Sequence, residues 1–286
     1  MKNKKTEIVK RLFSYRFLVL GILALSAASC RDLVFEDRTD CPSFVFFDVR
    51  EKQTLPSDEP VCVRIMDGIS GLLLNTDTVS VSKMDRRSYY LPVKKTPEAH
   101  VYGAAGFGKS RADGTVWTVP LGSDADSLYL FRTVVDASGE EVTAPVVMTK
   151  EHSKVSVRYI IEPGREFPYN VVVSGNTSGI DIFTGEPVEG EFRFSPDETE
   201  PGLFRFIAPR QADLTLTLEM WAKEGVSAET GHVDDLVLWS MLSEIEGFDW
   251  TMENLPDINI ELDYVRSFMT ITVGDWVVGS VMDFSI

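Results

Sequence analysis

The chain has 286 residues, which is enough for one large domain or for two ordinary ones that each bury a core. Hydrophobic residues make up 44% and charged residues 25% of the sequence, and this balance excludes a chain that is disordered throughout. The formal net charge of −16 argues against nucleic acid and an anionic membrane surface as partners of the folded part.

The first 29 residues differ from the rest in charge and hydropathy. Six lysines and arginines lie between Lys2 and Arg16, and the acidic residue among them is Glu7. An apolar run of eleven residues, LVLGILALSAA, follows at 18–28. A helix of that length, at about 1.5 Å per residue, is too short for a hydrocarbon core about 30 Å thick. The basic start, the short apolar run and the small residues predict a secretory signal peptide over residues 1–29.

The segment SAASC, which ends at Cys30, is similar to the lipobox of bacterial lipoproteins. In a lipobox the cysteine thiol takes a diacylglycerol, and the cysteine becomes the mature N-terminus. Ala27 stands where leucine is usual, a departure that lipoboxes tolerate. The resemblance implies that Cys30 is lipidated. Acyl chains such as palmitate, at about 0.8 kcal/mol per buried CH₂, give a firm anchor. The alternative is an ordinary signal peptide that a cysteine follows by chance.

Loss of residues 1–29 removes six basic residues and one acidic residue, so the net charge of the mature chain goes from −16 to −21. Anionic lipid repels such a body, and the covalent anchor must therefore hold it at the membrane. Residues 30–42 are predicted to be a lipidated tether. Its charged residues resemble the segment that carries Bacteroidales lipoproteins to the cell exterior: Arg31, Asp32, Glu36 and Asp37. We therefore expect a lipid-anchored, surface-exposed protein of the outer membrane.

From residue 43 onward the sequence predicts one short β-strand after another. In segments such as 155–159 and 214–218, apolar and polar residues alternate at a period of two, which places one face in a core and the other in water. Turn residues separate these segments at roughly ten-residue spacing, which predicts an all-β protein built as β-sandwiches. Strands are predicted over 43–51, 61–67, 71–82, 88–93, 99–107, 115–121, 127–135, 142–150, 154–163, 169–175, 179–185, 190–195, 202–210, 213–221, 257–265 and 267–278.

The polar stretch MTKEHS near residue 150 divides these strands about equally. A domain boundary is therefore predicted there, with an N-terminal sandwich over 43–150 and a C-terminal sandwich over 151–286. No low-complexity linker separates the two, so we expect them to pack against each other. Residues 233–248 are the clearest candidate for a helix or an irregular segment.

The segment GAAGFGKS, from Gly103 to Ser110, fits the spacing of a nucleotide-binding P-loop. A working P-loop needs a helix directly after its Lys-Ser pair, because the helix N-terminus and successive backbone N–H groups hold the phosphates. Here the chain continues as RADGTVWTV, in which Asp113 and Gly114 predict a hairpin turn and TVWTV predicts a strand. We therefore interpret the match as accidental and expect no nucleotide to bind.

The two cysteines of the mature body, Cys41 and Cys62, allow two interpretations. An oxidising compartment permits a disulfide between them, and a pair of buried or half-buried thiols is the alternative. Their spacing does not suggest a metal site.

Other residue types with known chemistry form no recognisable site, so no catalytic, cofactor-binding or metal-ligating residue is predicted. The histidines lack metal-ligand spacing and are interpreted as surface or turn residues: His100, His152 and His232. No nucleophile motif is present, and 44 acidic residues make chance carboxylate pairs common. The acidic clusters at 123–127 and 233–235 are interpreted as solvated loops. The tryptophans are interpreted as core or interface residues rather than as a sugar-binding platform: Trp117, Trp221, Trp239, Trp250 and Trp276.

Together with the lipobox, two further segments resemble a known family. DRTDCPSFVFFDV (37–49) places Asp-Cys-Pro directly before the first strand, and DINIELDYVRSFMTITVGDW (257–276) gives a last hairpin that ends in Trp276. Both are similar to segments of the fimbrial anchor subunits of the Bacteroidales, the FimB-like lipoproteins of type V pili. In the strand HVYGAAGFGK, Tyr102 replaces the tryptophan that is usual in the family.

The resemblance implies two transthyretin-like β-sandwiches in tandem and a structural, non-enzymatic role. Such proteins hold the base of a pilus at the outer membrane. Pilus subunits, fimbrillins among them, join by strand addition, in which an extended strand of one subunit pairs with an open sheet edge of the next. Residues 278–286 alternate in hydropathy and suit a final strand, which either completes the protein's own sheet or engages a neighbouring subunit. Two other functions stay open: a glycan-binding lipoprotein of a nutrient-uptake system and an adhesin at the fibre tip.

Overall fold

The computed structural model describes residues 41–51, 55–213, 215–225, 230–237, 242, 248–263, 268–274 and 276–281. Their regular secondary structure is almost entirely β-strand, as predicted. The strands of the first half are β1 (Ser43–Glu51), β2 (Pro60–Asp67), β3 (Leu73–Ser80), β4 (Leu91–Val93), β5 (Ala99–Ala105), β6 (Arg111–Asp113), β7 (Val116–Thr118), β8 (Tyr129–Val135), β9 (Glu141–Val147) and β10 (Thr149–Lys150). A four-residue helix, α1 (Val81–Met84), follows β3. The strands of the second half are β11 (His152–Ile160), β12 (Tyr169–Asp181), β13 (Pro187–Phe194), β14 (Glu198–Glu200), β15 (Leu203–Pro209), β16 (Thr217–Ala222), β17 (His232–Val237), β18 (Ile258–Asp263), β19 (Phe268–Val273) and β20 (Trp276–Val281).

The first half forms a sandwich of a three-stranded and a five-stranded sheet. The smaller sheet has the strand order β4-β1-β9, and the larger has the order β10-β8-β5-β2-β3. β1 lies parallel to β9 and antiparallel to β4, whereas the larger sheet is antiparallel throughout. Val61, Val63 and Ile65, which are alternate residues of β2, are fully buried between the two sheets. This is the period-two burial of a strand that has one face in a core.

The second half forms a sandwich of two six-stranded sheets. One has the order β14-β15-β11-β18-β19-β20. The other has the order β17-β16-β12-β7-β6, and its sixth strand, β13, also pairs with β12. Aromatic rings fill part of this core: the ring centroid of Phe167 lies 4.6 Å from that of Tyr159 and 5.6 Å from that of Phe204. Tilted and edge-on pairs at such distances stabilise a core beyond the apolar area that they bury.

A hairpin from the first half joins a sheet of the second half. β6 and β7 turn at Gly114, whose φ of +59° lies in the left-handed region that favours glycine. β7 pairs with the end of β12, where Trp117 lies opposite Ile180. Both side chains pack with Tyr102 of β5 and Ile182 in a third hydrophobic core. A shared sheet and a shared core therefore connect the two halves, and residues Ser43–Ile286 form one compact unit. The domain boundary near residue 150 stays a prediction.

The structure corrects the interpretation of residues 233–248 over its first five positions. β17 is a strand that pairs with β16, so residues 233–237 are neither helical nor irregular. Their sequence has no clear alternation, and the hydrogen bonds to β16 decide the conformation. The strand predicted at 179–185 is not separate either, because β12 continues without interruption to Asp181. Within the described residues, no helix is long and apolar enough to cross a membrane.

Candidate functional site

The P-loop-like segment wraps around a carboxylate of the protein itself. The backbone N–H groups of Gly108, Lys109 and Ser110 donate to the carboxylate of Asp126 at 3.1, 3.0 and 2.7 Å. The hydroxyl of Ser110 donates to the same carboxylate at 2.6 Å. Asp126 is only 7% exposed. Successive N–H groups of this kind form an anion-binding nest, and here an internal anion occupies it. After Ser110 the chain enters the β6–β7 hairpin, so the predicted turn is confirmed.

The first glycine of the segment has a packing role. A Cβ atom on Gly103 would lie 2.2 Å from the carbonyl oxygen of Cys62 and 2.5 Å from the ring of Phe131. No side chain fits there, because the neighbouring strand and the ring occupy the space. Gly103 therefore lets β5 pack closely in the sheet, which explains part of the P-loop spacing without a ligand.

The three histidines do not lie together, and one contradicts its predicted position. His100 is half-buried, with its Nε2 atom 2.8 Å from Glu98, and the exposed His232 has its Nε2 atom 2.7 Å from Asp235. His152, interpreted from sequence as a surface or turn residue, is completely buried at the start of β11. Its Nδ1 atom lies 3.0 Å from the carbonyl oxygen of Leu128. The prediction was wrong because the polar stretch around residue 150 enters the interior between the two halves.

Burial of His152 makes stability depend on pH. Because burial disfavours the imidazolium, the pKa of His152 is lowered from 6.5 to about 4. As pH falls below 6.5 the unfolded chain takes up a proton that the folded chain does not, so this residue lowers stability in acid. We expect it to remove about 2 kcal/mol of the free energy of unfolding between about pH 7.5 and pH 5. In urea unfolding, the free energy of unfolding of His152→Gln should therefore fall by about 2 kcal/mol less than that of the wild type between these two pH values. If His152→Gln loses as much stability as the wild type over this pH range, the expectation is wrong.

The interpretation of the two acidic clusters as solvated loops was wrong, because Asp126 is buried and residues 233–235 belong to the strand β17. Carboxylates of both clusters make contacts within the protein. In the cluster at 123–127, Asp126 occupies the nest and Asp124 pairs with Lys109 at 2.5 Å. In the cluster at 233–235, Asp235 pairs with His232 and the Asp234 carboxylate accepts the N–H of Asp235 at 2.9 Å. Among the described residues, no group of three or more His, Cys, Asp or Glu side chains is placed to hold a metal ion.

The described tryptophan side chains form no flat platform. Trp117 and Trp250 are buried, and Trp221 is 36% exposed, with its ring 5.2 Å from the imidazole of His232. Trp239 and the side chain of Trp276 lie outside the described residues. Trp117 and Trp250 are core residues, as interpreted from the sequence, whereas the exposed Trp221 departs from that interpretation.

The structure describes two of the three cysteines. Cys41 is exposed, and Cys62 is half-buried on β2 beside the third core. Both thiols are free in this structure, and the exposed Cys41 departs from the pair of buried or half-buried thiols that was the alternative to a disulfide. The disulfide between Cys41 and Cys62 stays a prediction. Cys30 and the signal peptide lie outside the described residues.

The sequence analysis did not find a buried ion pair near the junction of the halves, because no motif marks its residues. The Nε–H of Arg210 donates to Glu151 at 2.5 Å, and both side chains are less than a tenth exposed. The guanidinium also donates to the carbonyl oxygens of Trp250 and, at 2.8 Å, Met252. Thr149 donates its hydroxyl to the second oxygen of Glu151 at 2.7 Å. The pair lies along a cleft of about 390 Å³ with mostly polar walls. Its bonds join the connection between β10 and β11 to the residue after β15 and to the loop before β18.

The sheet edges are the surface that a structural subunit uses for assembly, because their N–H and C=O groups can pair with another chain. Four outer strands have only two or three residues: β4, β6, β10 and β14. Four longer ones carry charged residues or proline, which disfavour pairing: β3, β9, β13 and β17. β20, with the sequence WVVGSV, has neither, and the side chain of Val277 is 67% exposed. Among the described residues β20 is thus the long outer strand without such protection.

The end of the chain was expected to form a strand in the protein's own sheet or to engage a neighbour. Residues 276–281 pair with β19, with Val277 opposite Thr272, and so belong to the protein's own sheet. Residues 282–286 of the predicted final strand lie outside the described residues. One side of β20 is therefore occupied by β19, and no described residue pairs with the other side.

No protein-family model and no curated protein matches the chain. Solved structures do match. A candidate adhesin from Bacteroides ovatus has 13% identity and a TM-score of 0.60, with 84% of this chain and 95% of that chain covered. The fimbrial anchor protein Mfa2 from Porphyromonas gingivalis has 12% identity and a TM-score of 0.59, with 84% and 100% covered. A candidate polysaccharide-binding protein from Bacteroides thetaiotaomicron has 13% identity and a TM-score of 0.56, with 84% and 98% covered. None of the three is described as an enzyme. The chain thus shares the fold of a fimbrial anchor protein and of candidate adhesin and polysaccharide-binding proteins of Bacteroides, in agreement with the resemblance found in the sequence.

Proposed function

We propose that the protein is a structural, non-enzymatic subunit that holds the base of a fimbria, a type V pilus, at the outer membrane. The observation that carries the proposal is the likeness to Mfa2 over the whole of that chain, in a sequence that also has a lipobox cysteine at Cys30. Lipid on Cys30 fixes one end of the protein at the membrane. A subunit fixed in this way can only stand at the end of a row of subunits, which is the role of an anchor.

The assembly step that we propose is strand addition at the free side of β20. A neighbouring pilus subunit, such as a fimbrillin, would supply an extended strand whose N–H and C=O groups pair with those of β20. The absence of charge and proline from β20 favours this edge over the other long edges of the described sheets. The backbone bonds would give register, and the exposed side chain of Val277 would contribute to specificity.

The test of the anchor role combines lipid labelling with fibre attachment. Radiolabelled palmitate should enter the wild-type protein and not Cys30→Ala, and cells with Cys30→Ala should shed their fimbriae into the medium. If Cys30→Ala cells keep their fibres, or if the wild type takes up no label, the anchor role is wrong.

The same cells test whether β20 is the edge at which a pilus subunit docks. Val277→Lys places a charge on β20, and we expect it to fold normally and to co-purify with pilus subunits several-fold less than the wild type does. The matched control is Val237→Lys on β17, which is 41% exposed and belongs to a strand that is already charged. If both variants lose co-purification with pilus subunits to the same extent, or if Val277→Lys keeps it, β20 is excluded as the docking edge.

A glycan-binding surface lipoprotein is the second candidate function. The likeness to a candidate polysaccharide-binding protein from Bacteroides thetaiotaomicron supports it. Two of the three described tryptophan side chains, Trp117 and Trp250, are buried and cannot stack on a sugar, and the exposed Trp221 does not make a platform by itself. Quenching of tryptophan fluorescence by oligosaccharides would favour this function. A third candidate, an adhesin at the fibre tip, would be favoured if immunogold labelling marks the free end of isolated fibres.

A further inference from the structure

The connection between β2 and β3 exposes three large aliphatic side chains next to one another. Ile69 is 71% exposed, Leu72 is 65% exposed and Leu73 is 54% exposed. We refer to these three residues as the aliphatic tip. From residue 68 to residue 76 the chain has no charged residue, although a quarter of the whole sequence is charged. Clustered exposed apolar side chains of this kind mark contact surfaces rather than ordinary loop residues.

The loop that carries the aliphatic tip has a defined shape. The carboxylate of Asp67 accepts the N–H of Ile69 at 3.2 Å, the hydroxyl of Ser70 at 2.6 Å and the hydroxyl of Thr96 at 2.8 Å. The N–H of Asp67 in turn donates to the carbonyl oxygen of Leu72 at 2.9 Å. These bonds hold the aliphatic side chains outward in the folded state. Because the loop is already ordered, burial of the tip against a partner costs little conformational entropy.

The aliphatic tip lies at the end of the sandwich where the tether enters. Asp67, Ala99 and Val135 lie side by side across the larger sheet, so the β2–β3 connection and the turn after β8 are at the same end. The N–H of Phe44, at the start of β1, donates to the carbonyl oxygen of Glu140 in that turn at 2.8 Å. The chain that comes from Cys30 thus joins the sandwich at the end that carries the tip.

We propose that the aliphatic tip inserts into the lipid surface to which Cys30 is attached, as a second, non-covalent contact that orients the sandwich on the membrane. This inference rests on the proposed function, since it needs the lipid on Cys30. Residues 31–42, at about 3.3–3.6 Å per residue, span at most about 40 Å, which keeps this end of the sandwich near the bilayer. Ile and Leu without neighbouring charge partition into lipid through the hydrophobic effect, which does not require anionic headgroups.

A lipid surface fits the tip better than a second copy of the chain does. Two mature bodies, each with a net charge near −21, repel each other, whereas a neutral lipid surface does not. The tip also lacks the Trp, Tyr and Arg residues that dominate binding at protein–protein interfaces.

The experiment uses the full, lipidated protein in phosphatidylcholine vesicles. In a Cys41→Ser/Cys62→Ser background, a fluorophore is placed at the tip with Ser70→Cys or, as a control, with Asp58→Cys. Asp58 is exposed and precedes β2, at the opposite end of the sandwich. Brominated phosphatidylcholine should quench the probe at position 70 and leave the probe at position 58 unchanged. Added salt should not reverse the quenching.

Two variants then show whether the quenching depends on the aliphatic tip or on exposed apolar residues anywhere on the surface. Ile69→Ser/Leu72→Ser/Leu73→Ser should lower the quenching at position 70 by about tenfold, to the level seen at position 58. All three side chains are exposed, so the variant is expected to fold, and circular dichroism checks this. The matched control is Leu121→Ser, which changes a leucine that is 65% exposed elsewhere and should keep full quenching.

Three results would overturn the inference. If the protein carries lipid and position 70 is not quenched, the tip does not reach the bilayer, and the anchor role is unaffected. If position 70 becomes protected in detergent as protein concentration rises, the tip binds another copy instead. If mass spectrometry finds no lipid on Cys30, both the proposed function and this inference fail.

Discussion

Replacing Glu151 with alanine is expected to lower the free energy of unfolding by about 3–5 kcal/mol, because it leaves the guanidinium of Arg210 buried without its counter-ion. The remaining bonds of Arg210 go to the carbonyl oxygens of Trp250 and Met252, which carry only partial charge. In a compact unit of this size, such a loss lowers the melting temperature by roughly 10 °C.

Thermal and urea unfolding of the folded body measure this loss. The matched control is Glu162→Ala, which breaks an ion pair with Arg165 whose side chains are 58% and 74% exposed. That pair should contribute less than about 1 kcal/mol. The double variant Glu151→Leu/Arg210→Met leaves no buried charge and should be more stable than Glu151→Ala. If Glu151→Ala is as stable as Glu162→Ala, the buried pair does not stabilise the fold.

Replacing Asp126 with alanine is expected to lower the free energy of unfolding by about 3 kcal/mol. The substitution leaves the N–H groups of Gly108, Lys109 and Ser110 without their acceptor in a part-buried loop, and hydrogen bonds to a charged group are among the stronger ones in proteins. Asp124→Ala is the matched control, because Asp124 makes one ion pair with Lys109 and should cost less than about 1 kcal/mol.

The same variants decide what the P-loop-like segment does. If Asp126 fills the nest, the melting temperature of the wild type should not change when ATP and Mg²⁺ are added, and Asp126→Ala should melt well below Asp124→Ala. A rise in the melting temperature of the wild type with ATP would mean that the nest opens to phosphate. Equal stability of the two variants would mean that the nest contributes nothing to the fold.

Much of the local structure could be predicted because a strand with one buried face leaves a period-two pattern in the sequence. β1 covers the predicted residues 43–51, and β11 and β15 lie within a few residues of their predicted positions. β6, β14 and β17 were missed, since short or charged outer strands bury too little to show alternation. They are strands because a neighbouring strand supplies hydrogen bonds.

The polar contacts could not be predicted, for a different reason. Arg210 and Glu151 are 59 residues apart, and nothing near either of them in the sequence marks a partner. Lys109 and Asp126 were both considered in the sequence, one in a P-loop pattern and one in an acidic cluster, but only the fold brings the cluster into the nest. The burial of His152 likewise depends on how the halves meet.

The sequence by itself determined that the mature chain is all-β, through alternation and turn residues, and it predicted export and the lipid on Cys30, through motifs that are read before folding. Only the tertiary structure decided which strands pair, that the β6–β7 hairpin of the first half completes a sheet of the second, and that Asp126 occupies the nest. It also decided which strands are the outer ones in the sheets of the described residues. The physical reason is that alternation records whether a side chain is buried, whereas the identity of its neighbour depends on contacts between residues far apart in the chain.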